Sequence, residues 1–221
     1  MMSRIVHAEL LDSLPHDHPD ARDNRRDLCL INAVMGNHRW LARTLQAHAS
    51  SGSPGLELGA GMGELARRLR RNGWPVDGLD VCPAPATWPP EARWHRADLR
   101  TFTGFDGYEV VYGNLIFHQF SASELQAVGN RMQTRAQLIL ACEPARHRQS
   151  QWMFRLFAPL IGANHVSRHD ANVSIAAGFR GDELPGLLGL EPERWTWRCT
   201  TTLLGAYHLI AWRRETKWIP A

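Results

Sequence analysis

Lysine is almost missing from this chain: Lys217 is the only one among 25 basic residues, which face 22 acidic ones. The resulting net charge of +3 argues against a nucleic-acid partner, because dedicated binders concentrate basic residues on one face. At most it steers an anionic substrate weakly. Cysteine is sparse as well. Cys29, Cys82, Cys142 and Cys199 stand far apart without a C-x-x-C, which argues against any metal site of the zinc type and against a disulfide framework. The N-terminus has no apolar signal segment. The most apolar helical stretch, 152–162, is too short for a bilayer and is interrupted by Arg155 and Pro159. These absences predict a reducing, cytoplasmic compartment and no membrane partner.

What remains is enough for one α/β domain: 221 residues, 44% of them hydrophobic. The pattern divides it into an N-terminal helical cap (1–49), a core (50–145), a helical insertion (146–190) and a C-terminal hairpin (191–221). Residues 1–22 read as a polar arm. A helix follows, capped by Asp23, with Leu28, Ile31 and Met35 at helical spacing. The run 50–55, rich in Ser and Gly, ends that region. Strands are predicted at 56–58, 76–81, 93–97, 108–116 and 137–142, with a helix at 64–71. A second helix starts at about residue 122, where Ser121 and Glu124 form a capping box. Strands alternating with helices imply parallel crossovers. The apolar run 138–141 suits a strand covered on both faces. Past Pro144 the pattern predicts a helix at 148–161, a polar loop at 163–178 and a short helix around Leu184. Strands at 195–201 and 207–212 then form a hairpin through Leu204-Gly205. The expected fold is Rossmann-like and doubly wound: a mostly parallel seven-stranded sheet ending in an antiparallel hairpin.

Leu56-Glu57-Leu58-Gly59-Ala60-Gly61-Met62-Gly63 joins the first strand to the first core helix. Glycine allows positive φ and close approach of backbone to a ligand, and the helix start behind it offers free N–H groups. That suits an adenosine-linked cofactor at the carboxyl ends of the strands. A nicotinamide fingerprint, G-x-G-x-x-G, would place its third glycine where Glu64 stands. Glu64 would repel a pyrophosphate at that helix start, whereas S-adenosyl-L-methionine carries no phosphate. Asp80, followed by Val81, ends the second strand, where a carboxylate accepts from both ribose hydroxyls. Asp98-Leu99 ends the third, where it can hold an adenine amino group.

Together with Tyr112-Gly113-Asn114-Leu115 on the fourth strand, these residues resemble the class I S-adenosylmethionine-dependent methyltransferases over about 55–145 and the late hairpin. The resemblance implies a cofactor site of Glu57, Gly59, Ala60, Gly61, Gly63, Asp80, Val81, Asp98, Leu99 and Asn114. Against it stand blander readings: a tight turn without ligand, and Asp98 as a helix cap.

His118 follows the fourth strand and is the candidate general base, since imidazole titrates near neutrality. The segment 114–120 resembles the one that carries the catalytic histidine in plant-type small-molecule O-methyltransferases, with Gln119 where an aspartate often follows. It departs from the Asn/Asp-Pro-Pro-Tyr of enzymes that methylate DNA bases and protein glutamine. His169 and Asp170, in the polar loop, are the alternative base pair. Candidate substrate contacts are Phe117, Glu143 and Arg146, with Arg26 or Asn37 meeting the methionine carboxylate. Phe120, Trp152, Phe154 and Phe157 are candidate apolar walls. The N-terminal block of Arg25-Arg26-Asp27-Leu28, Asn32 and Met35-Gly36-Asn37, with Glu143-Pro144, Arg168-His169-Asp170 and Gly178-Phe179-Arg180, resembles bacterial methyltransferases found beside polyketide-forming enzymes. The implied activity is methyl transfer to a hydroxyl, or a carbon, of an aromatic or polyketide-like small molecule, by a monomer or homodimer. The competing readings are a catalytically silent cofactor-binding subunit, a nicotinamide oxidoreductase and an RNA methyltransferase.

Overall fold

The computed structural model describes residues 3–15, 18–48 and 54–215. The expected break at 50–53 lies outside them. Seven strands form one sheet: β1 (Gly55–Leu58), β2 (Val76–Asp80), β3 (Trp94–Arg96), β4 (Val110–Asn114), β5 (Leu138–Pro144), β6 (Trp195–Thr201) and β7 (Ala206–Arg213). Their order is β3-β2-β1-β4-β5-β7-β6. The first five run parallel, and β7 inserts antiparallel between β5 and β6. The expected architecture is what the chain adopts. β1 and β4 lie side by side at the centre, so the loops leaving their carboxyl ends meet at a point where the strand order reverses.

Strand periodicity sorts the core. Val111, Ile139, Ala141, Leu209 and Ala211 face one side of the sheet, while Val110, Leu138, Leu140, Cys142 and Ile210 face the other. The first face is covered by α4 (Ala122–Met132) and α7 (Glu183–Leu187). The second is covered by α2 (Asn37–His48) and α3 (Glu64–Arg71) through Leu41, Leu45, Leu65 and Leu69. Ser121 caps α4 with the expected capping box.

Three expectations need correction. The first helix, α1 (Pro19–Met35), starts before Asp23: Pro19 occupies the first helical position, and His18 Nδ1 accepts the Asp20 N–H. Proline suits that position because its missing N–H would be unpaired there. Its inner face is polar, with Asn24, Asp27 and Asn32 buried, while Leu28, Ile31 and Met35 are half-buried. The polar loop at 163–178 is a helix, α6 (His165–Ala177), capped by Asn164, whose Oδ1 accepts the Ser167 N–H. Its buried face includes Ser167 and Asp170, so no apolar stripe announced it. The N-terminal arm lies on the body: Ile5 N–H donates to Ala176 O, and 11–13 form a 3-10 turn. The remaining helix, α5 (Arg148–Phe157), follows the end of β5. Among the described residues no helix is long and apolar enough to cross a membrane.

Candidate functional site

The glycine turn has the backbone its sequence implies. Gly59, Gly61 and Gly63 all take positive φ, at 63°, 51° and 71°. Asp80 faces the turn from the end of β2. Its Oδ2 accepts the Gly61 N–H at 2.9 Å and its Oδ1 the Cys82 N–H at 2.9 Å. Met62 and Val81 lie exposed on the same rim, while Ala60 and Leu99 are buried. Asp98 turns the chain after β3 by accepting the Arg100 N–H at 2.8 Å, and it pairs with the Arg100 guanidinium. Glu57 lies beneath the turn rather than on it. Burial, then the charges of Glu64 and Asp80, push its carboxyl well above the usual range, against the Ala66 backbone. Its Oε2 is buried without a hydrogen-bond partner.

A second cluster joins the cap to the sheet. Asn32 Oδ1 accepts from Asn114 Nδ2 at 3.0 Å and from Asn37 Nδ2 at 3.1 Å. His38 Nε2 lies 3.4 Å from Asn114 Nδ2, and burial holds this imidazole below its usual pKa. The carbonyl oxygens Oδ1 of Asn37 and Asn114 are buried without any hydrogen-bond donor. Two adjoining side chains with bare acceptors are costly unless a ligand brings donors. Arg26 is not brought to this cluster; half-exposed, it pairs with Asp23 and Asp27.

The third group centres on Glu143, which is fully buried on β5. One carboxylate oxygen accepts the N–H groups of Ile116 at 3.0 Å and Phe117 at 2.8 Å. The other accepts the His118 N–H at 3.2 Å and faces His118 Nδ1 at 2.7 Å. Aiming three successive amides at one carboxylate requires a sharp turn, and Leu115 supplies it at φ 58°, the one non-glycine residue with positive φ among those described. Such a conformation costs about 1–2 kcal/mol, which the charge-assisted bonds to Glu143 offset. The other imidazole nitrogen, Nε2, lies 3.2 Å from Glu9 of the N-terminal arm.

Burial opposes charge on His118, but the hydrogen bonds and charges of Glu143 and Glu9 outweigh it and lift its pKa from 6.5 to about 9. A raised folded-state pKa stabilises the protein fully below about pH 6.5 and loses that contribution as pH rises through about 9. Unfolding free energy measured in urea from pH 6 to 10 is therefore expected to drop by on the order of 2–3 kcal/mol, and His118→Asn to remove most of that drop. A pH-independent difference between the two proteins would count against the charged imidazole.

The other sequence candidates fall elsewhere. His169 and Asp170 sit on α6, not in a loop. His169 is half-exposed, and Asp170 spends its oxygens on the Leu10 and Leu11 N–H groups and on Asn24. The structure does bring the two together, with His169 Nδ1 3.0 Å from Asp170 Oδ1, while Asp170 also anchors the N-terminal arm. Arg146 is buried and ties Gly178 O and Glu183 together. Phe117 and Phe120 are in the core, whereas Trp152 is 63% exposed on α5. Glu9, Asn24, Asp27, Asn32 and His38 were missed. The polar residues of α1 did carry a signal, since Asn24, Asp27 and Asn32 recur on one face of a helix; Glu9 carried none.

No family model and no curated protein matches the sequence. Solved structures match it at low identity. The plantazolicin methyltransferase BpumL in complex with SAH is 10% identical over 92% of both chains, with a TM-score of 0.70. The methyltransferase domain of bacterial CtHen1-C is 14% identical, covering 80% of this chain and 96% of its own, at 0.60. A protein solved for the conversion of a disulfide bond into a thioacetal group during echinomycin biosynthesis is 18% identical over 79% and 81%, at 0.57. With strand order 3-2-1-4-5-7-6 and a glycine turn after its first strand, the chain has the Rossmann-like methyltransferase fold.

Proposed function

We propose that the protein is an S-adenosylmethionine-dependent methyltransferase acting on a hydroxyl of a small aromatic or polyketide-like molecule. The observation that carries this reading is the rim formed by the three positive-φ glycines with Asp80 and Asp98 on adjoining strand ends. Asp80 already accepts two backbone N–H groups there and has lone pairs left for ribose hydroxyls. The bare Oδ1 atoms of Asn37 and Asn114 fit the ammonium of the methionine end. An Asn carbonyl offers this group an acceptor, so Asn37 serves the ammonium rather than the carboxylate first expected. The neighbours solved with SAH and with desmethylPZN analogues support a natural-product acceptor.

S-adenosylmethionine, held by the glycine turn with Asp80 and Asp98, would supply an activated methyl group for the acceptor oxygen. The residues of this chain do the rest. Glu143 fixes the His118 ring through Nδ1, so that Nε2, once freed from Glu9 and deprotonated, takes the hydroxyl proton. The buried setting of Phe117, His118 and Glu143 excludes water from that transfer. Placement of the acceptor against the methyl accounts for the larger share of the acceleration, roughly 7–11 kcal/mol in favourable cases.

Calorimetry with S-adenosylhomocysteine tests the assignment. Micromolar binding is expected, with NAD giving none. Asp80→Ala removes charge-assisted bonds worth about 1.5–3 kcal/mol, so its affinity is expected to fall about 10- to 100-fold with the fold intact by circular dichroism. Equal binding of NAD, or an unaffected Asp80→Ala, would overturn the reading.

A further inference from the structure

Residues 3–13 cross the site as a strap held by polar contacts. Arg4 donates to Ala177 O at 2.8 Å, His118 O at 3.1 Å and Phe120 O at 2.7 Å, with its guanidinium over the Phe179 ring. Leu10 and Leu11 donate backbone N–H groups to Asp170 on α6, at 2.7 and 3.1 Å. Glu9 lies between these anchors. Its Oε1 faces His118 Nε2 and accepts from Ser174 Oγ of α6. Ile5 and Leu10 of the strap are exposed while Val6 and Leu11 are half-buried, so hydrogen bonds and charge carry much of its hold. Water or a ligand can replace both.

Glu143 occupies the Nδ1 edge of the imidazole, so Nε2 is the edge left for an acceptor. A hydroxyl that gives its proton to Nε2 must lie within hydrogen-bond reach of it, and Glu9 stands in that place. We propose that the strap is a lid, with Glu9 holding the seat of the acceptor hydroxyl on His118 until the acceptor displaces it. This rests on the reading of His118 as base.

Closing and opening then change the proton on His118. In the closed form Glu9 and Glu143 flank an imidazolium. The strap's own charges, Arg4, Glu9 and Asp12, are coupled in turn to Asp170 and His169 of α6, to Arg146 and Glu183 beyond β5, and to Arg100. Opening removes Glu9, Asp12 and Arg4 together. The imidazolium keeps one carboxylate, Glu143, and with Glu9 gone its hold on the Nε2 proton weakens, so the proton passes more readily to solvent and the ring becomes available to the acceptor. Glu9 thus acts as a specificity residue twice over: it excludes water from Nε2 at rest, and it admits only ligands able to replace its hydrogen bond.

Glu9→Gln, which keeps size and loses charge, tests the lid with two readouts. Proton NMR of the His118 ring, assigned through His118→Asn, is expected to titrate near 9 in the native protein and at least about one unit lower in the variant. Hydrogen exchange of amides 4–12 is expected to be at least about tenfold faster in Glu9→Gln, with β5 amides unchanged. Ser174→Ala, which removes the second partner of Glu9, is expected to move exchange the same way. Strap amides that exchange only at the rate of β5, or an unmoved His118 titration, would overturn the lid. Both readouts are taken with and without S-adenosylhomocysteine, so absence of its binding registers separately from a strap that stays shut.

Discussion

Glu143→Gln is expected to lower turnover by about 10²–10⁴-fold, the range general-base catalysis contributes, and to leave S-adenosylhomocysteine affinity within about threefold, since the glycine turn and Asp80 are untouched. The native carboxylate accepts from three backbone N–H groups and faces His118 Nδ1. An amide keeps one acceptor oxygen and turns its NH₂ toward groups that are themselves donors. One set of the former contacts becomes donor against donor, in a position with no access to water. The turn at Leu115 loses the bonds that offset its strain, and the imidazole loses the partner that orients Nε2. Leaving a buried network broken on one side also costs about 3–5 kcal/mol of stability. Release of S-adenosylhomocysteine with an accepted small molecule, run beside a denaturant melt, reads both effects. Undiminished turnover in folded Glu143→Gln would remove the Glu143–His118 pair from the mechanism.

Gly178→Ala is expected to cost the protein much of its stability through a single methyl group. Gly178 ends α6 at φ −65°, so conformation permits any residue there. Space does not. A Cβ would lie 2.1 Å from Pro144 O and 2.9 Å from its carbonyl carbon, both backbone atoms of β5. Nothing at that contact can rotate away. The next residue, Phe179, donates its N–H to the same Pro144 O at 3.0 Å, and Phe179 O accepts from Arg146 N–H at 3.1 Å. Pushing the two segments apart therefore breaks the bridge that seats α6 over Glu143. The expected cost is roughly 3 kcal/mol, or a fall of about 6–12 °C in Tm for a domain of this size. A melting curve within about 2 °C of the native one would show that the end of β5 yields more readily than its hydrogen bonding implies.

The framework of the molecule was readable because it obeys simple periodicities. The apolar run at 138–141, the capping box at 121–124 and the glycines after β1 each have one low-energy structural answer. The placement of Asp80 and Asp98 beside the glycine turn was readable for the same reason: they stand at strand ends that the sequence marks. The acceptor side was not. Helix α6 buries Ser167 and Asp170, and hydrophobic patterning treats such a segment as loop. Glu9 reaches His118 across 109 residues of chain, a proximity that only the folded path of the strap creates. Leu115 gives no local sign of positive φ, because its conformation is imposed by Glu143 from a neighbouring strand.

The seam between α1 and α6 is built from amides, hydroxyls and carboxylates: Ser167 to Asp27 at 2.7 Å, Asn24 to Asp170 at 3.4 Å, Asn164 to Asp20 O at 3.1 Å. Parting such a seam wets little oily surface, so it adds little heat capacity, unlike melting of the sheet beneath. The cap's readiness to loosen is thus set by enthalpy traded bond for bond with water. It stays nearly level across the temperatures over which the sheet's own stability rises and falls.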